Sequence, residues 1–239
     1  EFTGDRTILE IKTPFLQGAV LEENQKAHKE VFHLLRLKEN VGLGRALNEG
    51  LKCCKNEAVA RMDSDDIACK DRCEKQLRVL EEGIDIVSGT VVEFEKDILH
   101  CKAKRTLPLS KEEILKFAGR RNPFNHPCVM YRKEAVEKAG GYQHFYLFED
   151  YYLWARMLLL GVEARNLPDT LLYMRAGTGM YKRRGGWKYV KSMLHFRLFL
   201  WKSGLSSFLD FVVCAGGQMM ICLIPNRLRE LFYKKFLRK

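Results

Sequence analysis

At 239 residues the chain fits one large domain or a domain with an extension, and its 46% hydrophobic content suffices for a sizeable core. Its formal charge is +11, and residues 170–239 hold 14 Lys plus Arg against Asp210 and Glu230, a net of +12 that leaves −1 for residues 1–169. The eight cysteines show no CxxC pair and no regular framework, which excludes a disulfide scaffold; a zinc site on Cys69 and Cys73 lacks a second ligand pair.

The chain opens Glu1-Phe2 with no signal peptide, so the cysteines read as reduced packing residues of a cytoplasmic protein. It offers a strand from Thr7 to Lys12 and a polar helical stretch from about Phe15 to Lys29. Val31 to Leu37 is apolar and rich in strand-forming residues. A glycine-punctuated turn, Lys38-Glu-Asn-Val-Gly-Leu-Gly-Arg45, then feeds a helix with Leu43, Ala46, Leu47, Leu51 and Cys54 at helical spacing.

The next strand, Glu57 to Met62, runs into Asp63, Asp65 and Asp66. Carboxylates at the carboxyl end of a strand sit where α/β sheets bind ligands. Asp63 and Asp65 can both reach one hard cation, which fills its remaining positions with water and substrate phosphates. The competing reading is an Asp-rich turn with Asp66 capping the following helix. That helix is expected from Lys70 to Glu82, with Leu77 and Leu80 inward, and Ile84 to Phe94 is a long strand. Strand and helix alternating in this order predict an α/β fold with a mostly parallel sheet flanked by helices.

A charged stretch, Glu95 to Arg105, and a short helix near Lys111 to Ala118 lead to Arg120-Arg-Asn-Pro-Phe-Asn-His-Pro127 and a strand from Cys128 to Arg132. A helix near Lys133 to Ala139 ends at Gly140-Gly141. Beyond Phe148-Glu149-Asp150-Tyr151 an apolar helix runs to Leu160, with Leu153, Trp154, Met157 and Leu158 forming a wide stripe. Glu149 and Asp150 stand at its amino end, where the macrodipole favours negative charge; the functional alternative is a general base at a cleft edge.

Tyr181-Lys-Arg-Arg-Gly-Gly-Trp-Lys188 joins three consecutive cations to two glycines, suited either to gripping phosphate or to lying as a solvated face. Lys188 to Trp201 is helical in pattern. Ser206 to Ile224 is mostly apolar but carries Asp210 and Gln218, and a central Asp costs about 3 kcal/mol in a membrane span; a helix packed on the domain or lying in the interface is expected instead. The tail from Pro225 shares Leu228, Leu231, Phe232 and Phe236 on one helical face, with six Lys or Arg elsewhere, which reads as attachment to an anionic membrane surface.

Taken in order, the motifs resemble the family 2 glycosyltransferases of GT-A, Rossmann-like fold, in particular the short bacterial enzymes of capsule, exopolysaccharide and lipopolysaccharide synthesis. The residues that carry the resemblance are Glu39-Asn-Val-Gly-Leu-Gly-Arg-Ala-Leu-Asn-Glu-Gly-Leu51, Ala60-Arg-Met-Asp-Ser-Asp-Asp66, Asn125-His-Pro-Cys-Val-Met-Tyr-Arg132, Gly140-Gly-Tyr142, Phe148-Glu-Asp-Tyr151 with Leu153 and Trp154, Asn166-Leu-Pro168, and Arg183-Arg-Gly-Gly186. The resemblance implies an inverting transferase moving a sugar from a UDP-sugar or similar donor to a lipid-linked glycan, at the inner face of the cell membrane. It implies that Asp63 and Asp65 are the DxD pair holding Mg or Mn against the donor diphosphate, with Asp150 of the Glu149-Asp150 pair as the base. Asn40, Gly42, Arg45 and Asn48 would line the nucleotide, Arg183 and Arg184 would close over its phosphates, and His126 and Trp154 would meet substrate.

The amino end departs from the family pattern. The family's first strand and helix are expected to be absent, and Thr7 to Lys12, standing as the second strand, ends in Lys12-Thr13-Pro14 where the family has acidic residues. This predicts either a truncated or rearranged piece of such an enzyme or one that has lost part of its donor pocket, with a catalytic domain over residues 1–180 and a basic helical extension over 181–239. Two other classes remain in view. One is a non-catalytic membrane-surface module driven by the tail; the other, nucleic-acid binding, lacks a recognised module before the charge.

Overall fold

A computed structural model describes residues 8–12, 26, 27, 29, 31–95, 97–99, 101–176 and 186–223. Two parallel strands, β1 (Ile8–Lys12) and β2 (Phe32–Arg36), form a small sheet in register from Ile8 opposite Phe32. The larger sheet has the order β3 (Ala58–Ala60), β7 (Met130–Arg132), β5 (Ile86–Phe94), β8 (Ala164–Arg175), β4 (Ile67–Ala68), and β6 (Cys101–Arg105) pairs with β5. β8 runs parallel along one edge of β5; on the other edge, Ile86 and Val87 pair with β7 and Val91 to Phe94 with β6, both antiparallel. β3 with β7 and β4 with β8 are antiparallel as well.

The α/β class stands, but the sheet is mixed where the alternation of elements predicted a mostly parallel one. His126–Cys128 forms a 3-10 turn, so the strand expected at Cys128 starts at Met130, and it pairs antiparallel with β5.

The helices lie close to their predicted positions: α1 (Leu43–Cys53), α2 (Arg72–Glu81), α3 (Lys111–Ala118), α4 (Lys133–Lys138), α5 (Glu149–Leu159), α6 (Trp187–Lys202) and α7 (Phe208–Leu223). β5 is buried along nearly its whole length because both its faces are covered. On one side Ile86 packs with Leu153, Trp154 and Met157 of α5, Ile114 of α3 and Val136 of α4. On the other, Val87 packs with Val79 and Leu80 of α2. Burying each such aliphatic side chain contributes about 1.5–3 kcal/mol.

α5 is therefore apolar on two sides, as its wide stripe requires. Its second side, Tyr151 and Ala155, joins Phe148 and Tyr189, Met193, Phe196 and Leu200 of α6 in a separate core cluster. α7 packs on α6 with its polar residues accounted for: Asp210 pairs with Arg120 at 2.6 Å, and Arg197 donates to Gln218 Oε1 at 3.0 Å. Those contacts match the expected packed helix, and among the described residues no helix is long and apolar enough to cross a membrane. The amphipathic tail, the polar stretch of residues 15–29 except 26, 27 and 29, and Arg183 and Arg184 lie outside the described residues.

Candidate active site

β3 delivers the acidic turn. The Arg61 N–H extends the β3–β7 pairing to the Val129 carbonyl at 2.9 Å, and the Asp66 N–H closes a turn on the Asp63 carbonyl at 3.2 Å. The turn is braced from beneath by buried polar side chains of α2. Arg72 donates to the carbonyls of Arg61 at 2.7 Å and Val129 at 3.3 Å, and to Gln76 Oε1 at 2.9 Å. Gln76 in turn donates to the carbonyls of Cys128 and Val87.

Three carboxylates then differ in environment. Asp63 is gripped by both terminal nitrogens of the buried Arg61, at 2.9 and 2.5 Å. Asp65 is exposed, and its carboxylate has no partner among the described residues. Asp66 is buried; its Oδ1 accepts the Arg175 backbone N–H at 2.8 Å, while its Oδ2 has no hydrogen-bond partner. Burial raises its carboxyl to about 6, the Arg175 N–H works against the rise, and Asp63 and Asp65 add to it. Asp66 is thus tied to β8 and does not cap α2, whose N-cap is Asp71 without a side-chain cap bond. The Arg175 side chain fastens the same turn through the Asp65 carbonyl at 3.2 Å and lies over the Phe94 ring.

The carboxylate oxygens of Asp63 and Asp65 are hard donors of the kind that suits a divalent cation. No three or more His, Cys, Asp or Glu side chains form a ready cage among the described residues, which fits an ion completed by water and substrate phosphates. An Asp63 oxygen retains lone pairs beyond those facing Arg61.

The glycine-rich turn meets the second acidic group through close backbone approach. Asn40 Oδ1 accepts the Gly42 N–H at 3.1 Å, shaping the entry to α1. Gly44 is buried; a Cβ there would stand 3.5 Å from Tyr142 Cβ and 3.6 Å from Glu149 Cγ. Arg45 is exposed on the same turn. Asn48 bonds both backbone groups of Tyr142, donating to its carbonyl at 2.7 Å and accepting its N–H at 2.8 Å. Its amide therefore positions Tyr142.

Glu149 and Asp150 occupy the first turn of α5, entered through Leu147 at φ 62°. Asp150 Oδ2 accepts from Asn122 Nδ2 at 2.8 Å, and Asn122 Oδ1 accepts the Phe124 N–H at 3.3 Å. Glu149 is half-buried, and that burial, with the neighbouring Asp150 charge, raises its carboxyl. Trp154 is buried, 0% exposed, with its ring edge-on to His126 and Phe124, whereas His126 is partly buried, its Nε2 3.0 Å from the Tyr142 hydroxyl. The Tyr142 phenol feels both the positive charge of Arg61 and the negative charge of Asp150, while burial raises it well above the ordinary phenol.

Asn122, Tyr142, Arg61, Arg72, Gln76 and Arg175 were not singled out by residue type. Arg72 and Gln76 stand four apart on α2, a spacing that could have marked a buried polar pair.

The sequence model of glycosyl transferase family 2 matches residues 18–140. The chain belongs to that family. It is 41% identical over 209 residues to the amylovoran biosynthesis glycosyltransferase AmsE of Erwinia amylovora, covering 84% of this chain and 76% of AmsE. It is 37% identical over 205 residues to the UDP-Gal:alpha-D-GlcNAc-diphosphoundecaprenol beta-1,3-galactosyltransferase of Escherichia coli, covering 85% and 74%. The fold is that of the mannosyltransferase PcManGT from Pyrobaculum calidifontis, solved with GDP-Man and Mn2+ (TM-score 0.62, 15% identity, 93% of this chain), and of S. aureus TarS 1-349 with UDP-GlcNAc (TM-score 0.60, 14% identity, 98%). This chain spans 62% and 63% of those two chains. This family 2 member is a glycosyltransferase of GT-A fold.

Proposed function

We propose that this glycosyltransferase moves a sugar from a UDP-sugar to a lipid-linked glycan in surface polysaccharide biosynthesis, by one displacement with inversion. The observation that carries the reading is a pair of acidic groups each held by a polar neighbour: the Asp63–Asp65 turn, gripped by Arg61, and Asp150, held by Asn122. The names of the relatives support the acceptor class, since one is an exopolysaccharide enzyme and another acts on a diphosphoundecaprenol-linked sugar.

Mg or Mn held by Asp65 and Asp63 would neutralise the departing diphosphate. Arg61 keeps Asp63 in place while Asp65 stays open. Asp150 takes the proton of the acceptor hydroxyl as its oxygen bonds the anomeric carbon and the bond to the diphosphate breaks, releasing UDP. Asn122 fixes one oxygen of Asp150 and leaves the other for that proton. The Asn40–Asn48 turn, with Gly42 and Arg45, would line the nucleotide, and Arg183 and Arg184 would meet its phosphates. The basic tail would hold the protein on the inner face of the membrane, beside its acceptor.

The test is a panel of UDP-sugars with Mn and a synthetic sugar-diphosphate-lipid acceptor, following UDP release and the anomeric configuration of the product. One sugar is expected to give a product of inverted configuration, and Asp150→Asn is expected to abolish transfer while preserving UDP binding. A product of retained configuration would rule out the single displacement.

A further inference from the structure

Beside the first turn of α5 the 144–146 loop and the outer face of α6 enclose an open recess of about 290 Å³. His144 and Tyr146 form one wall; Lys188, Lys191, Ser192 and His195 form the other. Those four α6 positions are spaced 0, 3, 4 and 7 and share one helical face. The walls are joined directly. Ser192 Oγ donates to the Tyr146 carbonyl at 2.8 Å, and Lys188 Nζ stands 4.3 Å from the centroid of the Tyr146 ring.

The lining is charged on one side only. It contains two ammonium groups and two imidazoles but no acidic residue, and neither lysine pairs with a carboxylate among the described residues. Ammonium groups beside imidazoles match the oxygens of a phosphate ester. His144 and Tyr146 stand on the loop that leads into Glu149 and Asp150, which brings one wall of the recess next to that pair along the chain.

We propose that this recess holds the diphosphate of the lipid-linked acceptor, an inference that rests on the acceptor class given above. In such an acceptor the diphosphate is attached to the sugar whose hydroxyl reacts, so the anion must bind within about one sugar ring of the base. The wall formed by His144 and Tyr146 lies on the loop that leads directly into Asp150 and the first turn of α5. Exposed Trp187, one residue before Lys188, offers an apolar surface where the lipid chain leaves.

The probe is farnesyl diphosphate, titrated calorimetrically into the full chain in EDTA, which withholds the cation from the Asp65 turn. Binding is expected, with farnesol silent. The double substitution Lys188→Ala/Lys191→Ala should weaken it at least tenfold while keeping the wild-type melting temperature; Lys191→Gln alone should fall between; Asp65→Asn should stay within twofold of wild type. In transfer assays the double variant should raise the acceptor KM and leave the donor KM unchanged. Unchanged probe affinity in the double variant would overturn the proposal. So would loss of the probe in Asp65→Asn, which would put the diphosphate at the acidic turn. A parallel, equal loss of binding to phosphatidylglycerol vesicles would assign the recess to bilayer headgroups and also overturn it. Probe binding that survives in a chain transferring no sugar would contradict the proposed activity and leave the diphosphate site standing.

Discussion

Arg61 places both terminal guanidinium nitrogens on Asp63 and leaves Asp65, two residues on, with a carboxylate open to solvent. On the proposed reading this divides the labour: Asp63 would be a fixed edge of the site, and Asp65 the carboxylate free to approach a cation. A buried Arg pays a desolvation penalty that its contacts only partly offset, and the Arg61 Nε has no partner. Arg61→Met, which keeps the volume, is therefore expected to shift the melting temperature little while weakening Mn–UDP binding roughly tenfold, or about 1.4 kcal/mol. Calorimetric Mn–UDP titration beside a melting curve separates the two effects.

Glu149 provides a pH signature. Its carboxyl is raised by burial, so the folded chain holds that proton more tightly than the unfolded one. The associated stability is complete below the ordinary carboxylate range and is lost as pH rises past it. Glu149→Gln should match wild type near about pH 4 and exceed it in melting temperature near about pH 8. Equal melting temperatures across the range would contradict the burial of Glu149 as a charged group.

Asn122 tests the base. Its hydrogen bond to Asp150 involves a charged acceptor, and such bonds contribute about 1.5–3 kcal/mol. If that contact positions the base, Asn122→Ala lowers kcat by roughly 10- to 100-fold with donor KM unchanged, and Asn122→Ala/Asp150→Asn is no slower than Asp150→Asn alone. Additive losses would mean the two act independently.

Two glycines predict opposite responses. Gly44 sits in α1 with room for a methyl group at ordinary contact distance from Tyr142 and Glu149, so Gly44→Ala should be neutral or stabilise by up to about 1 kcal/mol through helix propensity. Gly141 has φ +63°, and a Cβ there would meet Asn48 Oδ1 at 2.8 Å. Gly141→Ala is expected to cost about 1–2 kcal/mol or more, from the left-handed backbone and the disturbed Asn48–Tyr142 bonds. Denaturant melts of both variants read the difference directly.

The helices were legible because apolar spacing survives in one segment of sequence: α3 and α6 lie within one residue of their predicted ends. β8 was not, because Pro168 interrupts it. The ladder passes from Gly89–Leu167 to Thr90–Thr170, leaving Pro168 and Asp169 in a bulge that a local pattern cannot foresee. β6 was hidden within a charged stretch, its pairing set by β5 ten or so residues away. Strand direction carries no local signature either, hence the mixed sheet. At the site, Asp63, Asp65 and Asp150 were visible by residue type, whereas their supports were not. Asn122 reaches Asp150 across 28 positions and Arg72 reaches Val129 across 57, and a buried Arg or Asn looks like a surface residue until its distant partner is known.

The central claim is that the Asp65 turn binds a cation together with a nucleotide diphosphate. Its most direct test is the melting temperature of the full chain with UDP and Mn, each alone and combined, for wild type and Asp65→Asn. The account predicts that the combination raises the wild-type melting temperature beyond the sum of the separate shifts and that Asp65→Asn loses this excess. A wild-type response to UDP that is indifferent to Mn, or an excess that persists in Asp65→Asn, would contradict it.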